Sequence, residues 1–139
     1  MPPCLPRNPL ERLRHHAQTW RCHAHLRIFD IAKAREFYVG FLGFEVQWEH
    51  CFDDNAPLYM AVGRDGCVLH LGEHHGDGAP GIAVRIKVED IAALQGELAA
   101  KNYRFARPGL EETPWKTREV SVADPFGDRL LSTRMRRAD

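Results

Sequence analysis

The 139-residue chain carries 19 Lys and Arg against 19 Asp and Glu, with 44% hydrophobic and 27% charged residues. These proportions describe a single soluble globular domain and exclude fibrous, collagenous and wholly disordered chains. No run of 18 apolar residues occurs, so no membrane span is expected.

The charge is unevenly spread: between residues 28 and 128, ten basic residues meet seventeen acidic ones, while both ends are basic. An acidic body favours cationic partners and opposes adventitious binding to nucleic acid. Cys4, Cys22, Cys51 and Cys67 are scattered without a CxxC spacing, and the chain opens without the apolar core of a secretory signal. Free thiols and a cytoplasmic location are therefore expected, and neither a zinc knuckle nor a redox pair has support.

Residues 1–20 mix prolines with basic residues and show no apolar period. They read as a tail, with at most one short helix from Leu10 to Gln18, ahead of one domain over residues 21–137. LRIF (26–29) reads as a buried strand, and Asp30 then caps a helix over about 31–41, in which Ile31, Ala34, Phe37, Tyr38 and Phe41 recur at helical spacing. Gly43 ends the helix, and FEVQWEH (44–50) begins an alternating strand. A turn at DDNAP leads to the strands LYMAVG and CVLHLGE, which flank the turn RDG.

After the glycine-rich link HHGDGAPG the cycle restarts. IAVRIKV is a strand, Asp90 caps a helix ending near residue 101, and Ile91, Leu94 and Leu98 form its buried stripe. Phe105 is placed in a short strand, followed by the loop RPGLEETPW, the strand REVSVA, the turn DPFGD and the strand RLLSTR. The two cycles superimpose with an offset of about 60 residues, matching Asp30 with Asp90 and Gly66 with Gly127. The expected fold is α+β: two βαβββ modules, residues 21–76 and 81–137, whose paired sheets enclose a cleft.

The segments EFYxxFLGF, WEHCFDDNAPLY, LHLGEHHGD and PWKTREVSVADPFG, in that order, resemble the vicinal oxygen chelate superfamily of glyoxalases, extradiol dioxygenases and bleomycin resistance proteins. The likeness is greatest to the bleomycin-resistance and glyoxalase-like branch. In the metalloenzymes of this superfamily, the first and last strands of each half supply His, Gln or Glu to one divalent ion. The corresponding positions here are His23 and His70 in the first half, but Ala83 and Leu131 in the second. Two protein ligands are fewer than a catalytic site normally has, so no cofactor is expected. Glu73 at the end of the His70 strand, with His74 and His75 beside it, is the remaining candidate for a Zn, Ni or Fe site.

Bleomycin resistance proteins hold a flat cationic glycopeptide between aromatic rings, in a groove formed where two chains meet. The resemblance therefore implies a metal-independent binding protein working as a homodimer, with Trp115, Trp48, Phe52, Asp54 and Tyr59 as ligand-binding residues and Asp53 adding attraction for a cation. Lys116 and Thr117 stand between Trp115 and Arg118-Glu119, where the family often has glycine directly after the tryptophan. The alternative is a metal-dependent lyase, isomerase or dioxygenase using the first-module histidines.

Overall fold

The computed structural model describes residues 20–51 and 57–135. Residues 1–19 of the expected tail, Cys4 included, lie outside these residues, as do Phe52, Asp53 and Asp54. The first module runs through β1 (Ala24–Arg27), α1 (Ile31–Ala34) with a π-helical continuation (Arg35–Phe41), β2 (Glu45–Cys51), β3 (Leu58–Arg64) and β4 (Cys67–Gly72). The second follows with β5 (Ala83–Lys87), α2 (Ile91–Ala100), β6 (Glu111–Glu112), β7 (Thr117–Ala123) and β8 (Arg129–Met135).

Each module closes a four-stranded sheet, ordered β1-β4-β3-β2 and β5-β8-β7-β6. The first strand of each pairs parallel to the last, His25 opposite His70 in one and Arg85 opposite Leu131 in the other. The near-constant offset carries the repeat down to strand register. Local chemistry agrees: the Asp30 carboxylate accepts from Lys33 N and that of Asp90 from Ala93 N, both at 3.0 Å. Past the helices, Gly43 (φ 76°) and Asn102 (φ 51°) take equivalent left-handed positions, which glycine and asparagine tolerate best.

Three elements depart from the sequence reading. The first strand lies at Ala24–Arg27, two residues before LRIF, because the chain must leave the sheet at Phe29 for Asp30 to turn into its cap. Phe105 sits in a turn rather than a strand, 71% exposed. The strand comes later, at Glu111–Glu112, beyond Pro108, whose ring nitrogen has no hydrogen to donate to a ladder. Finally, the first helix widens from Arg35 onward, with Leu42 N donating to Phe37 O, five residues back, at 2.9 Å.

One core spans both modules, joining Leu26, Phe37, Phe41, Met60 and Leu71 of the first to Ile91, Leu98, Val120 and Leu130 of the second. Phe41 stacks on Tyr103 with ring centroids 4.6 Å apart. Burying this apolar surface, at roughly 25 cal/mol per Å², is the main force holding the modules together. Because alternate residues of each strand feed the core, the other face of each sheet is left open to carry chemistry.

Candidate functional site

The open face of the first sheet gathers aromatic and imidazole rings. Alternation on β1 turns Leu26 and Ile28 into the core and leaves His25 outward, beside His70 of β4. On β2 the register shifts between Val46 and Trp48, so that Val46 packs against the core while Trp48, 45% exposed, lies opposite Ala61. Small residues make room here: a Cβ on Gly72 would stand 2.1 Å from Asp77 Oδ2, so glycine is what lets the Asp77 carboxylate lie over β4.

Trp48 stacks on Tyr59 at 5.6 Å between centroids, with planes 19° apart, and meets His70 edge-on at 5.4 Å. His70 is flanked by His23 and His25, each stacked at 5.2 Å. The Tyr59 hydroxyl hydrogen-bonds His70 Nδ1 at 2.6 Å and also His25 Nε2. With a single proton, the hydroxyl donates to one imidazole and accepts from the other. Burial, and then neighbouring His25 and His23, hold the His70 pKa below the usual imidazole value. Burial, followed by Asp77, raises that of Tyr59. Both directions favour neutral groups at this point of the sheet.

Beside these rings is a depression of about 510 Å³ lined by Trp48, His50, Tyr59, His74 and Asp77. Asp77 is fixed by accepting from His74 N at 3.1 Å, and it also contacts His74 Nδ1 at 3.2 Å. It is the acidic residue among those lining the depression.

Of the sequence-derived candidates, Trp48 and Tyr59 come together in this depression. Phe52 and Asp54 lie outside the described residues. Trp115 is elsewhere, at the tip of the β6–β7 hairpin, 58% exposed and lining neither this depression nor the cavity between the modules. The hairpin is closed by Thr113 N donating to Thr117 O at 2.8 Å, and Lys116 takes φ 63°. Sequence reasoning does not single out His25, His50 or Asp77. His25 shares the strand parity of His23, and His50 that of Trp48, so these two carried a period-two signal; Asp77, in a loop, did not.

The metal candidates fare differently. His23 and His70 stack, but Glu73 Oε1 accepts from Leu58 N at 3.0 Å and serves the edge of β3. Ala83 and Leu131 offer no donor on the second sheet, whose open face holds instead the Arg85–Glu119 ion pair at 2.6 Å. Among the described residues no three His, Cys, Asp or Glu side chains are placed to hold an ion. Of the four positions that the resemblance matches to metal ligands, Ala83 and Leu131 therefore carry no donor atom.

Two βαβββ modules with open sheet faces define the fold of the glyoxalase, bleomycin resistance and dioxygenase proteins. The chain belongs to the glyoxalase superfamily, whose family model, described as "Glyoxalase superfamily protein", matches residues 16–138. Among solved structures it is similar to a bleomycin-binding protein complexed with bleomycin (TM-score 0.64, 19% identity, covering 84% of this chain and 98% of that one). A bleomycin resistance determinant encoded on the transposon Tn5 is similar at TM-score 0.64 and 20% identity, with the same coverage. A glyoxalase family protein from Enterococcus faecalis gives TM-score 0.60 and 18% identity, over 81% of this chain and 94% of that one. No curated protein matches the chain by sequence. Among the described residues no helix is long and apolar enough to cross a membrane.

Proposed function

We propose that the protein binds and sequesters a small aromatic molecule, without a metal, on the open face of its first sheet. The carrying observation is the Trp48–Tyr59 stack, half open to solvent beside a depression of about 510 Å³. Stacked rings offer a flat π-face at little conformational cost, which suits a planar ligand. Asp77 favours a cationic substituent, so a bleomycin-type glycopeptide is a fitting first probe.

The face is open in one chain, and Trp115 projects from the opposite module. In a homodimer the hairpin of a second copy would supply the other wall, with Trp115 as the opposing ring. No nucleophile or general base is needed for stoichiometric capture. The reading is tested by titrating bleomycin and other planar cations against tryptophan fluorescence, before and after exhaustive chelation. Quenching that saturates at one ligand per site and survives chelation supports it. Binding or turnover that requires a restored divalent ion would replace it with the enzyme reading.

A further inference from the structure

The two modules fill their helix–sheet interfaces differently, and the difference is written at equivalent positions. Counted from the N-caps Asp30 and Asp90, Phe37 and Phe41 of the first module fall at the positions of Glu97 and Lys101 of the second, although the π-helical turn leaves Lys101 at the C-cap, where the first module has Leu42. Phe37 and Phe41 are 1% and 2% exposed, whereas Glu97 and Lys101 both turn outward. Arg64 of β3 donates to both Glu97 carboxylate oxygens, at 2.7 and 2.9 Å, and Lys101 Nζ donates to Phe41 O at 2.6 Å. Where the first module has two phenyl rings, the second has two outward charges that bridge to its neighbour.

What remains beneath α2 is a cavity of about 620 Å³. Leu94 and Leu98 line it from the helix, Val120, Val122 and Leu130 from the sheet, and Phe44 from the first module. Leu94 lies on the same helical stripe as buried Ile91 and Leu98 yet is only half-buried, since it faces this space. Well-packed interiors leave few voids larger than a water molecule, while small-molecule sites measure roughly 300–1,000 Å³.

We propose that this cavity is a second binding site, separate from the open face of the first sheet, for a neutral and largely apolar molecule of one or two rings. The walls determine the class. Of the ionic groups that line it, Arg64 pairs with Glu97 and the Asp90 carboxylate accepts from Ala93 N, while Asp65, Lys87 and Glu89 complete the lining. Against Leu94, Leu98, Val120, Val122 and Leu130 an ion would lose its water, whereas an apolar ring would not. Ser132 and Cys67 supply uncharged polar atoms of the wall, enough to meet a single hydroxyl or amine.

The test uses N-phenyl-1-naphthylamine, a neutral two-ring fluorophore, titrated into the full-length protein. Saturable enhancement at one probe per chain is expected, weakened at least tenfold in Leu94→Trp, whose indole occupies the space. Val122→Phe fills the cavity from the opposite wall and should do the same, so either folded variant suffices, with folding checked by circular dichroism. Trp48→Ala should bind the probe as wild type does, which separates this site from the one in the proposed function. The inference is overturned if the wild type gives no enhancement, if the folded filled variants bind undiminished, or if Trp48→Ala abolishes binding. It is equally overturned if probe binding falls as protein concentration rises, since a second copy would then be the occupant.

Discussion

The Tyr38 phenol donates a hydrogen bond of 2.7 Å to Asp124 Oδ2, across 86 residues of chain and from the helix of one module to the β7–β8 turn of the other. Both groups are buried, and the remaining Asp124 oxygen accepts from Phe126 N at 2.9 Å and Asp128 N at 2.8 Å. Burial, and then the nearby Asp124 charge, push the Tyr38 pKa far upward, so the phenol remains a donor throughout the stable pH range. Replacing Tyr38 by Phe removes one donor from a buried carboxylate and should cost on the order of 1–3 kcal/mol. Urea denaturation of Tyr38→Phe checks this; an unchanged midpoint would show that the contact adds nothing to stability.

Asp128, fully buried beside Asp124, has one carboxylate oxygen bound by Gly81 N and Ile82 N and the other without a partner among the described residues. Burial and then Asp124 raise its pKa above the ordinary 3.8. The folded state thus holds this proton more tightly than the unfolded chain, so the Asp128 contribution weakens as pH rises from 3.8 through the raised value. Asp128→Asn keeps the acceptor for Gly81 and Ile82 and removes the buried charge. It should stabilise the protein by about 1 kcal/mol at neutral pH and give no gain below the ordinary carboxylate range. Thermal melts of both proteins across pH 3–8 would show the curves converging at the acid end.

For the open-face site, Trp48→Ala should weaken a planar ligand by about 1–3 kcal/mol, as loss of a stacking partner does elsewhere. Trp115→Ala should show a similar loss while leaving the melting temperature unchanged, because the ring is exposed at a hairpin tip. Isothermal titration with the same ligand measures both. Wild-type affinity in Trp115→Ala would remove this residue from the site and leave Trp48 and Tyr59 as its ring wall.

Lys116 holds φ 63°, in a region costly to L-residues and open to glycine. Lys116→Gly should therefore stabilise the hairpin by up to about 1 kcal/mol. It also removes a positive charge beside Trp115, so a cationic ligand should bind more tightly, by a margin that shrinks with added salt. Equal affinities at low salt would show that the charge at this position does not reach the ligand.

A homodimer is expected at micromolar concentration, since each chain presents an open aromatic face and a projecting Trp115 at different places, and a two-fold pair can satisfy both at once. Light scattering over a dilution series decides this. A monomer throughout would confine the ligand to the Trp48 face alone.

Much of the architecture is legible in the amino-acid sequence, because its signals are local. Asp30 and Asp90 cap helices through a hydrogen bond to a neighbour three residues on, and strand alternation is a property of consecutive residues. The equal spacing of those caps and of Gly66 and Gly127 is enough to declare a repeat, and Trp48 and Tyr59 can be named from the resemblance of their segment. What tertiary structure alone decides depends on chain that is distant in sequence. His25 joins His70 only because β1 pairs parallel to β4, and Asp77 reaches the site because its loop folds back over Gly72. Tyr38 reads as one more apolar helix residue, and only the β7–β8 turn brings Asp124 against it. Glu97 and Lys101 read as polar positions of a helix, but the cavity they leave exists only where two modules meet. Caps and periods are set by neighbours along the chain, while sites are set by which faces the packed core leaves open and what the long-range pairings carry to them.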